Sequence, residues 1–169
     1  MMLYKKKACL IIGFFCFAIY FAIGQDQKLV DSLVLELNSG FHKGDELVIL
    51  AKIAAEETNP ESQLEFSDLL IQKASIDSSY NFLHQGYLQK GNALKFKGNN
   101  PEALKAYFKS LDYAKLVNDE KGIGSVMISV AGTYTAMGNS NNAQNYFNKG
   151  ILVLRKLNDS IKNFETYNS

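Results

Sequence analysis

Apolar residues recur at helical spacing along most of the chain. Residues 79–97 carry Phe82, Leu83, Tyr87, Leu88, Leu94 and Phe96 near that period, and 101–117 carry Leu104, Tyr107, Phe108, Leu111, Ala114 and Leu116. Gly98-Asn99-Asn100 interrupts the pattern between them. Gly98 suits a left-handed C-terminal cap, Asn100 reads as an N-cap, and Pro101 falls at the first helical position, where its missing N–H costs nothing. Glu102 follows where the helix dipole favours an acid. Residues 27–38, with Leu29, Val30, Leu33, Val34 and Leu37, predict an initial amphipathic helix stopped by Asn38-Ser39-Gly40. After Gly24 no strand alternation and no low-complexity linker interrupts the helical pattern.

The pattern repeats. Carried forward by one period, Gly91 falls on Ala131, Leu94 on Tyr134, Gly98 on Gly138, Ala103 on Ala143, Tyr107 on Phe147 and Asn118-Asp119 on Asn158-Asp159. Small residues meet small ones and large apolar residues meet large ones. A degenerate earlier copy has Ala51 and Ala54 one period before Gly91 and Leu94. Its Asn59-Pro60-Glu61 stands one position further than a full period before Asn100-Pro101-Glu102. That predicts a one-residue deletion and pairs Phe66 with Tyr107, Leu70 with Leu111 and Ser62 with Ala103. Each copy predicts two antiparallel helices, the third over 120–137 and 141–157. Gly122, Gly124 and Gly132 lower the intrinsic stability of its first helix.

These positions resemble the tetratricopeptide repeat family, a helix–turn–helix with small residues at the helix crossing, a turn glycine, an early alanine in the second helix and an aromatic four residues on. Here they are Gly91, Gly98, Ala103 and Tyr107, then Ala131, Gly138, Ala143 and Phe147. The period is about 40 rather than 34, similar to a longer-period subgroup of exported bacterial proteins. The extra residues fall at Leu116–Gly122 and Leu157–Lys162, and the family's early Trp and late Pro are missing. The resemblance covers 41–162, as copies 41–80, 81–121 and 122–162. It implies an all-α superhelix, a solenoid of about three helix hairpins with an initial helix over 25–40 and a partial last helix over 163–169. It also implies a concave face lined by the first helix of each pair. That nominates Lys52, then Gln85, Leu88, Asn92 and Lys95, then Ser125, Ile128, Gly132 and Thr135 as peptide-contacting positions. Asn92 and Lys95 suit a peptide backbone or carboxylate. The third copy offers only small and hydroxyl groups besides Ile128, so a basic clamp for chaperone tails is not expected.

The leader, residues 1–24, reads as an export signal. Lys5-Lys6-Lys7 precedes an uncharged run from Ala8 to Ile23, and Ala22-Ile23-Gly24 supplies small residues just before Gln25. The expected location is periplasmic or cell-surface, with a membrane anchor as the alternative if the leader is retained. Both cysteines, Cys9 and Cys16, lie in the leader, so the remainder holds no disulfide and no thiol nucleophile. Three of the 18 basic residues and none of the 17 acidic ones are in the leader, leaving a net charge of −2. That excludes binding of nucleic acid through bulk positive charge, and no membrane contact is expected after cleavage.

Catalytic chemistry finds no foothold. His42 and His84 are isolated, and no His/Cys/carboxylate cluster has metal-ligand spacing. No glycine loop leads into Lys-Ser or Lys-Thr, and Gly122-x-Gly124 lacks a preceding strand. The serines lack a neighbouring base. Glu56 and Glu57 read as solvated. The expectation is a non-catalytic, cofactor-free scaffold that binds a protein or peptide. The alternative is the truncated sensor portion of a bacterial signalling receptor such as a histidine kinase or transcriptional regulator. Ile161, Phe164 and Tyr167 begin a further apolar stripe, so self-association through an uncapped C-terminal end is also expected.

Overall fold

The computed structural model describes residues 27–39 and 46–167, and these form seven helices with no strand among them. They are α1 (27–39), α2 (Glu46–Glu56), α3 (Pro60–Ile76), α4 (Tyr80–Phe96), α5 (Asn100–Leu116), α6 (Glu120–Ala136) and α7 (Ser140–Tyr167). The leader with Cys9 and Cys16, and His42, lie outside the described residues. Among the described residues no helix is long and apolar enough to cross a membrane.

One turn is made again and again. Ser78, Gly98, Asn118 and Gly138 all take left-handed φ, at 52°, 77°, 55° and 73°. The next residue's amide then bonds a carbonyl five residues back: Ser79 to Ala74, Asn99 to Leu94, Asp119 to Ala114 and Asn139 to Tyr134, each at 2.9 Å. This closure satisfies carbonyls that a helix end leaves open. The residue that donates it is also the cap of the following helix. Asp119 Oδ1 accepts from the Gly122 amide at 2.8 Å, and Asn139 Oδ1 from Asn142 at 3.1 Å. The turn thus recurs at half the period read from the sequence.

This spacing corrects the register of the first copy. Asn59 caps α3 and Asn99 caps α5, so the two helices stand one full period apart with no deletion. Buried Gln63, Ser67, Leu70 and Ala74 correspond to buried Ala103, Tyr107, Ser110 and Ala114. The expected pairs Phe66–Tyr107, Leu70–Leu111 and Ser62–Ala103 are each one residue off. The prolines misled because Pro60 stands first in its helix and Pro101 second; amides throughout the first turn lack helical partners, so either position admits proline.

Three further expectations change. The register places a turn at 158–159, yet α7 is helical from Ser140 to Tyr167. The α6 glycines, expected only to weaken their helix, are packing devices. A Cβ at Gly124 would come within 2.6 Å of Leu154 Cγ, so glycine lets α7 lie against α6. The extra residues of each repeat are not concentrated at Leu116–Gly122, where the link is as short as elsewhere; they lengthen both helices to 17 residues.

The helices stack as a superhelical repeat. α2 touches α4 and α4 touches α6, whereas α3, α5 and α7 touch their chain neighbours and not one another. The row whose members touch is the inner, concave row. Ala103, Leu104, Tyr107, Leu111 and Ala114 of α5 meet Ile123, Val126 and Val130 of α6 in the main core. Val30 and Leu33 of α1 pack on Ile49 and Ile53 of α2 at the other end.

Candidate functional site

The inner row carries the nominated positions, and their surroundings divide them into different roles. Lys52 is exposed on α2. Gln85 and Ser125 are half-buried on α4 and α6. Leu88 packs against the main core and serves the fold.

Asn92 is a structural residue. Its Oδ1 accepts from the Tyr107 hydroxyl at 2.8 Å, and its Nδ2 donates to Gln89 Oε1 at 2.8 Å. The Tyr107 ring is fully buried. Burial pushes its phenol up to about 12, partly opposed by hydrogen bonds with Ser129 and Thr133 of α6. One tyrosine therefore ties α4, α5 and α6 together.

Lys95 lies one turn beyond Asn92, and its Nζ is 3.1 Å from where a Gly132 Cβ would stand. The absent side chain of Gly132 lets this lysine lie across the inner row from α4 to α6. Neither Lys95 nor Lys52 pairs with an acid among the described residues. Other lysines are engaged: Lys73 with Glu46, Lys90 with Asp68, and Lys97 with Glu61, each at 2.6–2.7 Å. The Lys97 ammonium holds the Glu61 carboxyl below its ordinary value by hydrogen bond first, with its charge adding to the effect.

Ile128 and Thr135 line a shallow groove of about 510 Å³ between α6 and α7, with Ala131, Gly132, Ala143 and Phe147. Thr135 Oγ1 donates to the Ala131 carbonyl of its own helix at 3.0 Å. The structural repeat positions account for the groove. Ala131 and Ala143 are small and buried, while Phe147 is 46% exposed where its counterpart Tyr107 is fully covered by α6. Gly91 and Ala103 are buried beside Tyr107, and Gly98 and Gly138 form the left-handed turns.

Two polar clusters escape a reading of the sequence. His84 is buried, with Nδ1 3.1 Å from the Ser110 carbonyl and 2.8 Å from Ser110 Oγ. Ser110 Oγ also lies 2.9 Å from the His84 carbonyl, to which it donates. The other ring nitrogen faces Asp119 Oδ2 at 3.5 Å. Ser110 is fully buried and its hydroxyl is engaged by the His84 carbonyl, so this cluster acts as a strut joining α4, α5 and the α6 cap. His84 and Ser110 lie on different helices, far apart in sequence, and only the Asp119 cap gives a local signal. Glu57, expected to be solvated, is buried just past α2, where Oε1 accepts from the Asn59 amide at 2.8 Å. Among the described residues no group of three or more His, Cys, Asp or Glu could hold a metal ion.

No protein-family model matches the chain, and no curated protein is significantly similar to it.

Proposed function

We propose that the chain is a peptide- or protein-binding scaffold of the tetratricopeptide repeat kind, exported and acting without catalysis. The observation that carries this reading is Lys95, laid across Gly132 on the inner row with no acidic partner among the described residues. An unpaired cation on a concave helical surface favours a segment bearing a carboxylate, either an acidic side chain or a chain terminus. Lys52 adds a second cation at the α2 end of the same row. The half-buried Gln85 and Ser125 supply neutral hydrogen-bonding groups between apolar neighbours.

The test is selection from a displayed library of short peptides, followed by titration of the winners against wild type, Lys95→Glu and Lys52→Glu. Peptides enriched in acidic groups, weakened about tenfold by Lys95→Glu, support the reading; tenfold corresponds to about 1.4 kcal/mol. Absence of enrichment, or winners indifferent to both substitutions, would remove it.

A further inference from the structure

The α4/α5 and α6/α7 hairpins differ at three aligned positions where their helices face each other. Gly91, Asn92 and Tyr107 of the first become Ala131, Gly132 and Phe147 of the second. In the first hairpin the three residues fill the space between them. Tyr107 lies over Gly91, where a Cβ would fall 2.5 Å from its ring, and its hydroxyl donates to Asn92 at 2.8 Å.

In the second hairpin each change empties that space. Ala131 carries the Cβ that the ring excludes at Gly91, so at the same helix spacing Phe147 cannot lie where Tyr107 lies. Phe147 has no hydroxyl and Gly132 no amide, so no hydrogen bond draws the ring inward. The ring stays 46% exposed. The groove between α6 and α7 opens beside it, walled by Ile128, Ala131, Gly132 and Phe147, with no charged side chain in its lining among the described residues.

A cation stands at the edge of this neutral groove. Gly132 lines it and also lies beneath Lys95, whose Nζ is 3.1 Å from where a Gly132 Cβ would stand. A segment whose carboxylate meets Lys95 therefore has an apolar recess within reach of its neighbouring side chain. The exposed Phe147 ring favours an aromatic guest, since ring pairs gain beyond the area they bury.

We propose that the groove is a specificity pocket for an aromatic side chain, adjacent in the bound segment to the Asp or Glu whose carboxylate Lys95 holds. The proposal rests on the peptide-binding reading above and adds the class of residue the ligand must carry. The groove is shallow, so the bound chain runs on past both ends and the carboxylate is that of an internal side chain. An exposed ion pair contributes little by itself. Burial of the guest ring supplies most of the affinity, and Lys95 sets the orientation.

The experiment titrates short peptides, blocked at both ends, into the full-length chain and follows binding by NMR chemical shifts. The peptides carry Glu-Phe, Glu-Ala, Gln-Phe or Gln-Ala at their centre. Glu-Phe is expected to bind tightest. Replacing its Phe by Ala weakens binding about tenfold in the wild type, and not in A131G/G132N/F147Y, which rebuilds the filled hairpin. Replacing its Glu by Gln weakens binding about threefold in the wild type, and not in Lys95→Gln. Equal affinity for Glu-Phe and Glu-Ala, with Glu still preferred to Gln, overturns the pocket and leaves the Lys95 reading standing. A preference for Phe that survives in the triple variant also overturns the pocket. A preference for Phe without one for Glu removes the Lys95 reading and the pairing built on it, and absence of binding removes both. If circular dichroism shows that the triple variant has lost helix, the wild-type complex decides. Nuclear Overhauser contacts from the peptide ring to the Ile128 and Ala131 methyls support the pocket, and a bound peptide without them overturns it.

Discussion

The Tyr107 ring rests on Gly91, so closely that a Cβ at Gly91 would fall 2.5 Å from Tyr107 Cε1. The ring cannot withdraw, because it is fully buried and its hydroxyl is held by Asn92. Gly91→Ala gains about 1 kcal/mol of helix propensity but overpacks the site by about 1–3 kcal/mol. The expected net effect in urea unfolding is destabilisation. In a Tyr107→Ala background the same substitution stabilises, and the difference measures the coupling. Equal effects in the two backgrounds would show that the contact is not the cause.

His84→Leu removes the strut between α4, α5 and the α6 cap. The Ser110 side chain keeps its bond to the residue 84 carbonyl, but the ring's contacts with Ser110 and Asp119 are lost. The expected cost is about 1–3 kcal/mol, the penalty of depriving buried polar groups of a partner. A lower urea midpoint with an unchanged slope is the expected signature. An unchanged midpoint would assign the cluster no structural weight.

The turns offer a pair of opposite substitutions. Ser78 holds a φ of 52°, a conformation that costs an L-residue about 1–2 kcal/mol. Ser78→Gly relieves that strain and raises thermal stability, less the extra chain entropy of glycine. Gly98→Ala imposes the strain at a φ of 77° and lowers stability by about 1 kcal/mol. Scanning calorimetry of the two variants reads both signs; shifts in the same direction would contradict the account.

Alkaline pH weakens the core through Tyr107. The free phenol titrates near 10.0, while the buried one is pushed up to about 12. Between these values the unfolded chain has released a proton that the folded chain retains, so stability falls as pH rises. The slope is about 1.4 kcal/mol per pH unit and levels off above the folded value. Tyr107→Phe removes this contribution, at a neutral-pH cost of about 1 kcal/mol for the unpaired Asn92 oxygen. Urea midpoints followed upward from about pH 9 in both proteins should converge; parallel declines would exclude Tyr107 as the cause.

Helix existence was legible because Leu, Phe and Tyr recur with the helical period, and Gly98 and Gly138 marked two turns openly. Ser78 and Asn118 make the same turn without glycine, which hid the half-period step. Proline was the misleading signal at Pro101, since the first turn tolerates it at more than one position. The inner row followed from the order of helices, but the roles on it did not. Asn92 resembles a ligand-binding amide until Tyr107 is seen to occupy its oxygen. Lys95 became distinct only through the missing side chain of Gly132 on another helix. The length of α7 was obscured for a thermodynamic reason: Asn158-Asp159 permits a turn but does not compel one.

The contact pattern of the stack also governs how the molecule comes apart. Each of α2 to α7 touches only partners one or two places away in the chain, and none of these contacts joins α2 to α7. Such a topology has low contact order, which favours fast folding. Stability is then approximately a chain of neighbour terms, and opening proceeds inward from the ends. Amide exchange should be slowest in α4 and α5, which have packed neighbours on both sides. A ligand lying along α2, α4 and α6 would touch consecutive links of that chain and slow the opening of all three together.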